Sequence, residues 1–553
     1  MKVLLINPPR RADSYVFPPT SLLYVAQAIR TAGHEAEIVD IPYLLERHSA
    51  HYKLSNGSLF DYLLSKDCDI LGIGGVVSTY FFYDYFVPMY RRAKPHIPIV
   101  AGGSVGYPIR EVWEKYAPID YLVEGDGELP TQRLLNCLEK KDYGGIETIP
   151  GVYYLRDGRY RGTVQESLPP ESLDDIPFLD YDEVDYEYYI EELTKWAWDV
   201  IPDRSLLKAK KLRFLPILTS RGCPFKCTFC FHFNHRLRIN SNDYVVNHLK
   251  FLRRKYDVNC LYMLDDLFTL SHKRTIELCE AIAKADLGFY IMGSGGKPEL
   301  ITDKMLESMK AAGFFRFSFG IESGSQKMLD VMEKGKSTVG MNLRALNLAN
   351  EKKVPGFANL VFGMPGENHE TINQTKELLI EAGLTTERFF GSWATAYPGT
   401  PLFEWMQKNN LIEDVRQYLF YVGAIGSYIY NFSELPIKEL QKKVFTIRQE
   451  VDMAYYWRHG QYTAYLKKFT KKKIGEILYC LDPDLRERVK KVASSVLPSR
   501  IKRTKKQSAI DVEKWIQQIA QQSDGDLSIA DKPRSFAEPM TYSGPGDLFR
   551  HTT

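Results

Sequence analysis

Strand-like and helix-like runs alternate along the first part of this chain, stop, and then start again, and this double alternation restricts the fold more than any other feature. Residues 2–6, Lys-Val-Leu-Leu-Ile, read as a buried strand ending at Asn7-Pro8-Pro9. The spacing of Leu22, Leu23, Val25, Ala26 and Ile29 predicts a helix over residues 21–32. Gly33-His34 ends it, and residues 35–40 return as a strand, with further strands expected at 70–74, 97–101 and 119–123. Strands separated by helices build a doubly wound, Rossmann-like parallel sheet. Ligands of such sheets bind beyond the carboxyl ends of the strands. Those ends carry Gly72-Ile-Gly-Gly-Val-Val-Ser78-Thr79, Gly102-Gly103-Ser104 and Glu124-Gly125-Asp-Gly-Glu128. No G-x-G-x-x-G follows the first strand, so the sequence gives a nicotinamide or flavin site little support.

The texture changes over residues 146–205, where Pro150-Gly151-Val-Tyr-Tyr and Arg156-Asp-Gly-Arg159 predict a small hairpin within a connector. Alternation then resumes. Strands are expected at 213–220, 260–264, 288–292, 316–320, 356–362 and 389–393, with helices over 242–255, 272–285, 302–312 and 369–382. Six repeats fit a partial TIM-type (β/α)6 barrel, whose active site would lie at the carboxyl ends of its strands. The motifs Asp265-Asp266, Gly293-Ser-Gly-Gly-Lys297, Gly320-Ile-Glu322-Ser323-Gly324 and Gly363-Met364-Pro-Gly-Glu367 fall at those ends. The expected α/β organisation is therefore a sheet domain over 1–145, the connector over 146–205 and the barrel over 206–430. A helical, basic region over 431–520 and a disordered tail over 521–553 follow. Aromatic residues such as Tyr80, Phe81, Phe82, Tyr83, Trp196 and Trp198 could line a cavity or simply pack.

Three cysteines, Cys223, Cys227 and Cys230, are spaced C-x3-C-x2-C just after the first barrel strand. A loop this short can turn several thiolates toward one point, and an iron–sulfur cluster ordinarily takes four of them. Three would leave one iron open for chemistry. Two other readings of the residues stay open: zinc on Cys227 and Cys230 with His232 or His235, and a four-cysteine cluster completed by Cys260 or Cys279.

A hydrophobic share of 44% with 25% charged residues is that of a folded soluble chain, and eight scattered cysteines make no disulfide framework, so a reducing cytoplasm is expected. No run approaches the length of a membrane-spanning helix. The net charge of +3 conceals an imbalance. Residues 467–506 hold 14 Lys or Arg against 4 Asp or Glu, a local net of +10. Such runs could dock on anionic lipid or nucleic acid, or form a solvated face.

With these residues in view, the chain resembles the radical S-adenosylmethionine (SAM) superfamily, and within it the cobalamin-binding branch. The resemblance covers about residues 1–430. It rests on Cys223-x3-Cys227-x-Phe229-Cys230, Leu264-Asp-Asp-Leu-Phe268, Gly320-Ile-Glu-Ser-Gly324, Phe362-Gly-Met-Pro-Gly-Glu367 and Tyr397-Pro-Gly-Thr-Pro401. It implies a 4Fe-4S cluster on Cys223, Cys227 and Cys230, with SAM on the fourth iron and reductive cleavage to a 5′-deoxyadenosyl radical. It also implies Phe229, Lys297, Glu322, Ser323, Gly363 and Met364 around SAM. Pro18-Pro-Thr-Ser-Leu-Leu, Ala101-Gly-Gly-Ser and Val123-Glu-Gly-Asp-Gly-Glu128 extend the resemblance to a cobalamin domain. Ser78, Thr79, Gly102, Gly103, Ser104, Glu124 and Gly125 are then the expected cobalamin residues. The D-x-H-x-x-G motif that brings a histidine to cobalt is absent, and His34 reads as part of a helix-ending turn.

The expected reaction is methylation of an unactivated carbon on a small-molecule or lipid-like substrate. Radical cyclisation, rearrangement or oxidation with the same cofactors is the alternative. Methylthiotransfer is disfavoured, because Cys68 and Cys137 are the only N-terminal cysteines. The resemblance further implies an electron donor such as flavodoxin or ferredoxin, with no nucleic-acid partner and possible peripheral membrane contact through the basic region.

Overall fold

The computed structural model describes residues 1–10, 17–53, 57–117, 119–163, 170, 172–200, 211–332, 337–422 and 430–469, without the side chains of 198–200. The basic runs beyond residue 469, the expected tail and the Trp198 side chain lie outside these residues.

The N-terminal sheet contains β1 (Lys2–Asn7), β2 (Glu35–Asp40), β3 (Ile70–Ile73), β4 (Ile99–Gly102), β5 (Tyr121–Val123), β6 (Val152–Arg156) and β7 (Arg159–Gly162). Its order is β2-β1-β3-β4-β5-β6-β7, parallel through β5 and antiparallel beyond. The hairpin read from Pro150 to Arg159 thus extends this sheet rather than standing apart in a connector. The β2-β1-β3-β4-β5 order puts a topological switch between β1 and β3, where such sheets open a ligand crevice. Val3 to Ile6 and Ile70 to Ile73 are buried, as central strands covered by helices on both faces must be.

The second sheet contains β8 (Phe214–Ile217), β11 (Cys260–Met263), β12 (Tyr290–Gly296), β13 (Phe314–Glu322), β14 (Gly356–Phe362) and β15 (Phe389–Trp393). All six are parallel in sequential order, as a partial barrel requires. A short antiparallel pair, β9 (Ser220–Arg221) and β10 (Arg238–Ile239), brackets the cysteine loop. The largest differences from expectation are at strand ends. The first strand ends at Ile217, while β12 runs on through Gly296 and β13 through Glu322. Register irregularities between Gly293 and Gly296 and between Gly320 and Glu322 accompany these longer ends, as bulges do when they re-aim a strand next to a site. The helix Tyr186–Val200, not expected from sequence, brings Trp196 against Phe17 and Tyr262, with ring centroids 5.4 and 5.0 Å away.

The two sheets share one core. Val77, Val105, Ile109 and Trp113, from the segments that follow β3 and β4, belong to the same apolar cluster as Met328, Met364, Ala394 and Leu402 at the barrel mouth. Tyr80, Phe81, Phe82 and Tyr83 are fully buried in it, so packing is their role. Across this seam, Arg416 in the helix Val415–Tyr421 forks onto Asp84 in the helix Tyr80–Ala93, with Nε to Oδ1 at 2.9 Å and Nη2 to Oδ2 at 3.3 Å. Tyr80 Oη donates to the same carboxylate at 2.5 Å.

Candidate active site

The cysteine loop is tied down on every side. Gly222 has φ +87°, and a Cβ there would lie 2.4 Å from the Arg236 carbonyl oxygen, so the loop closes on itself only with glycine. Gly222 N donates to Asp266 Oδ2 at 3.0 Å, and Cys223 N donates to the Asn234 carbonyl at 3.2 Å. Thr228 N reaches the Met332 carbonyl at 3.2 Å, and Leu402 N reaches the Thr228 carbonyl at 2.9 Å. The Tyr397-Pro-Gly-Thr-Pro401 motif thereby has a physical task, because it docks the loop against the sixth strand's end. Asp265, buried beneath, accepts from Thr219 N at 2.6 Å and Ser220 Oγ at 2.8 Å.

Among the described residues, no three His, Cys, Asp or Glu side chains gather closely enough for a single metal ion. Cys260 and Cys279 are fully buried among apolar side chains. Cys230 lies within electrostatic range of both Cys227 and Cys223. Burial, then Cys227, Glu322 and Cys223, push the Cys230 thiol up to about 12. Three cysteines carried on one short, tightly held loop form a donor set that fits an iron–sulfur cluster.

The expected SAM residues are disposed unequally. Glu322 ends β13 with φ +58°, a left-handed conformation uncommon for a side-chain-bearing residue, and is 8% exposed. Its charge acts on Cys230, which sets the carboxylate beside the loop. Ser323 adjoins it, but its hydroxyl is 3.1 Å from Thr375 Oγ1 and accepts from Ser325 N at 3.1 Å, so it fixes the turn. Lys297 is buried, 4% exposed. Its ammonium pairs with Glu299 and lies 3.8 Å from the centroid of Phe225, between Cys223 and Cys227. Ser337 Oγ completes the group by donating to Glu299 at 2.9 Å. Phe229 is partly buried against the shared core. Gly363 and Met364 form a turn closed by Glu367, whose Oε2 accepts from Gly363 N. Burial raises the Glu367 carboxyl to about 8.

At the N-terminal crevice, Gly103 has φ +76°, and a Cβ there would sit 2.3 Å from the Gly75 carbonyl oxygen. The loops after β3 and β4 thus touch backbone to backbone. Ser104 Oγ accepts from Val77 N at 2.9 Å, and Thr79 Oγ1 donates to the Val76 carbonyl at 2.8 Å. Ser78 is buried beside them. Gly102 ends β4 and Gly125 follows β5, while Glu124 accepts from Tyr153 Oη at 2.8 Å. Val76 stands 38% exposed above this floor. An open backbone surface with an apolar tip fits a broad, flat ligand such as a corrin. His34 lies at the other end of the sheet, 3.2 Å from both the Met1 amino group and Asn136 Oδ1.

Sequence reasoning did not anticipate how the two mouths are joined. Arg221, two residues before Cys223, contacts Glu128 at 2.8 Å and Asp126 at 3.5 Å, and stacks over Tyr24 at 4.8 Å. Arg238, on the far side of the loop, also pairs with Asp126. The acidic residues of the Glu124–Glu128 motif therefore grip the cysteine loop. Their signal was the opposite charge on residues flanking the cysteines, legible only once the fold brings them together.

Residues 217–379 match the family model described as the radical SAM superfamily. An uncharacterized methyltransferase of Pyrococcus horikoshii is 28% identical over 74% of this chain and 84% of its own. The anaerobic magnesium-protoporphyrin IX monomethyl ester cyclase of Rubrivivax gelatinosus is 25% identical over 76% of this chain and 72% of its own. Among solved structures, the radical SAM methyltransferase TsrM of Kitasatospora setae, with cobalamin and a 4Fe-4S cluster bound, superposes with a TM-score of 0.58 at 18% identity, covering 74% of this chain and 78% of that one. Over about three quarters of its length the chain thus shares the fold of TsrM, and its residues 217–379 are similar to the radical SAM superfamily, whose cofactors are a 4Fe-4S cluster and SAM.

Proposed function

We propose that this protein is a cobalamin-dependent radical SAM methyltransferase that alkylates an unactivated carbon of a small-molecule or lipid-like metabolite. The observation that carries this reading is the confrontation of a glycine-floored crevice and a cysteine-bearing barrel mouth across one dry seam. When bound, the cluster and SAM supply a hydrogen-abstracting radical, and cobalamin supplies the methyl group. In this reading Cys223, Cys227 and Cys230 hold the cluster. Phe229, Lys297, Glu322, Gly363 and Met364 surround SAM, with Ser323 shaping the turn that aims Glu322. Ser78, Thr79, Gly102, Gly103, Ser104, Glu124 and Gly125 present the cobalamin floor. The apolar seam excludes water, and the arginine clamp fixes the distance between the mouths, so the reacting groups are held near one another. A flavodoxin or ferredoxin is the proposed reductant.

The cyclase relative supports a second reading, radical cyclisation or oxidation on the same architecture. Turnover with SAM carrying a deuterated methyl group separates the two. Label in the product supports methyl transfer, whereas 5′-deoxyadenosine formed with an unlabelled, altered product replaces it with the second reading. Methylthiotransfer would call for a second cluster. Yet Cys68 is buried 3.3 Å from Tyr90 Oη, and Cys137 lies apart on the helix Glu128–Lys140. Iron for one cluster per chain, not two, is expected after reconstitution.

A further inference from the structure

The helix Ile437–Arg458 is fixed firmly on the barrel by one side. Leu440, Ile447 and Val451 are buried in the barrel core, and Glu450 pairs with Lys376 at 3.2 Å. Asp452 accepts from Thr386 N and Thr386 Oγ1, both at 2.8 Å. The outward side of a surface helix is ordinarily polar. Here Met453 is 43% and Trp457 49% exposed, and Tyr462 just beyond is 49% exposed. These are not scattered rings. Trp457 meets Tyr462 edge-on at 5.1 Å and Tyr465 at 5.4 Å, forming one ordered aromatic edge. The exposed Lys467 follows, and in sequence Lys471-Lys472-Lys473 come next at the start of the stretch with a net of +10, whereas Lys468 is already paired with Asp452 at 3.0 Å.

We propose that this face is a docking surface for an anionic lipid bilayer, seated in the plane of the interface. Two features favour lipid. Tryptophan and tyrosine prefer the headgroup level, where one edge of the ring is dry and the other wet. Adjacent lysines add roughly 1 kcal/mol each against an anionic surface. Nucleic acid would engage the lysines but leave Met453 without an apolar partner. No helix among the described residues is long and apolar enough to cross a membrane, so the contact is peripheral. A barrel docked in this way receives a lipid-like substrate directly from the bilayer.

The test uses the full chain with vesicles of phosphatidylcholine, with and without phosphatidylglycerol. Expected are cosedimentation with the anionic vesicles, release by salt, and quenching of tryptophan emission by brominated lipid. Trp457→Phe should lose most of that quenching while keeping most of the binding. Met453→Ser with Tyr462→Ser should weaken binding about tenfold. Four outcomes would overturn the proposal: no binding to anionic vesicles, quenching unchanged in Trp457→Phe, tighter binding to an oligonucleotide than to vesicles, or Trp457 already shielded from acrylamide in lipid-free protein. The last would mean that residues 470–553 or a second copy cover the face.

Discussion

The two parallel sheets turn their carboxyl ends toward each other but furnish those ends differently. In the N-terminal sheet the crevice is made of backbone. Gly75 and Gly103 abut, the Thr79 hydroxyl is engaged in its own turn, and the Ser104 hydroxyl is engaged by Val77 N of the facing loop. In the barrel the mouth is made of buried charge, with Asp265, Lys297 and Glu322 all under 10% exposed. A backbone floor suits a large ligand gripped by shape, since it carries no charge to be satisfied. Buried charges have to be matched by partners or by a charged cofactor, because an unmatched one costs several kcal/mol. The same alternation of strand and helix therefore yields one mouth specialised for area and another for electrostatics.

Substitution at each mouth should separate them. The largest effect is expected for Cys230→Ala, which should abolish cluster loading and SAM cleavage while cobalamin binding persists, as read by iron content and absorbance after anaerobic reconstitution. Gly103→Val is the reciprocal experiment. Its side chain would collide with the Gly75 carbonyl, so cobalamin retention should fall at least about tenfold with iron content intact. Loss of both cofactors in either variant would mean that the two mouths are not separable. Arg416→Ala probes the seam between them. It strands the buried Asp84 carboxylate, which among the described residues keeps the Tyr80 hydroxyl, and should cost about 3 kcal/mol in denaturant unfolding. The smallest effect is expected at Lys297. Lys297→Met removes a buried cation from behind the cysteine loop and should lower the cluster's midpoint potential by an amount on the order of tens of millivolts. Lys297→Arg should restore most of it, and an unchanged potential in the methionine variant would leave Lys297 as packing alone.

Sequence legibility followed the same division. All six barrel strands were readable because each is a short apolar run bounded by turn residues, and local pattern suffices for that. The β-rich edge was half readable. The hairpin was visible, but its pairing of Tyr154 with Tyr121 depends on partners 33 residues away. The helix Tyr186–Val200 escaped because its acidic and tyrosine-rich face resembles a connector, and its apolar side is defined only by the barrel floor it covers. The left-handed backbone of Glu322 has no sequence signature, since glycine is what such a position normally announces. Lysine is seldom buried, so nothing local announces the burial of Lys297, which the Phe225 ring and Glu299 make tolerable.

The arginine clamp has a consequence for how the molecule melts. Arg221 and Arg238 leave the barrel to meet Asp126 and Glu128, and all four side chains are largely withdrawn from water. Neither half can release the other without baring four charges and the apolar seam at once. Two folds are thus one cooperative unit. A calorimetric scan should give a single transition, and cutting the chain between the halves should leave two fragments that aggregate rather than two stable domains.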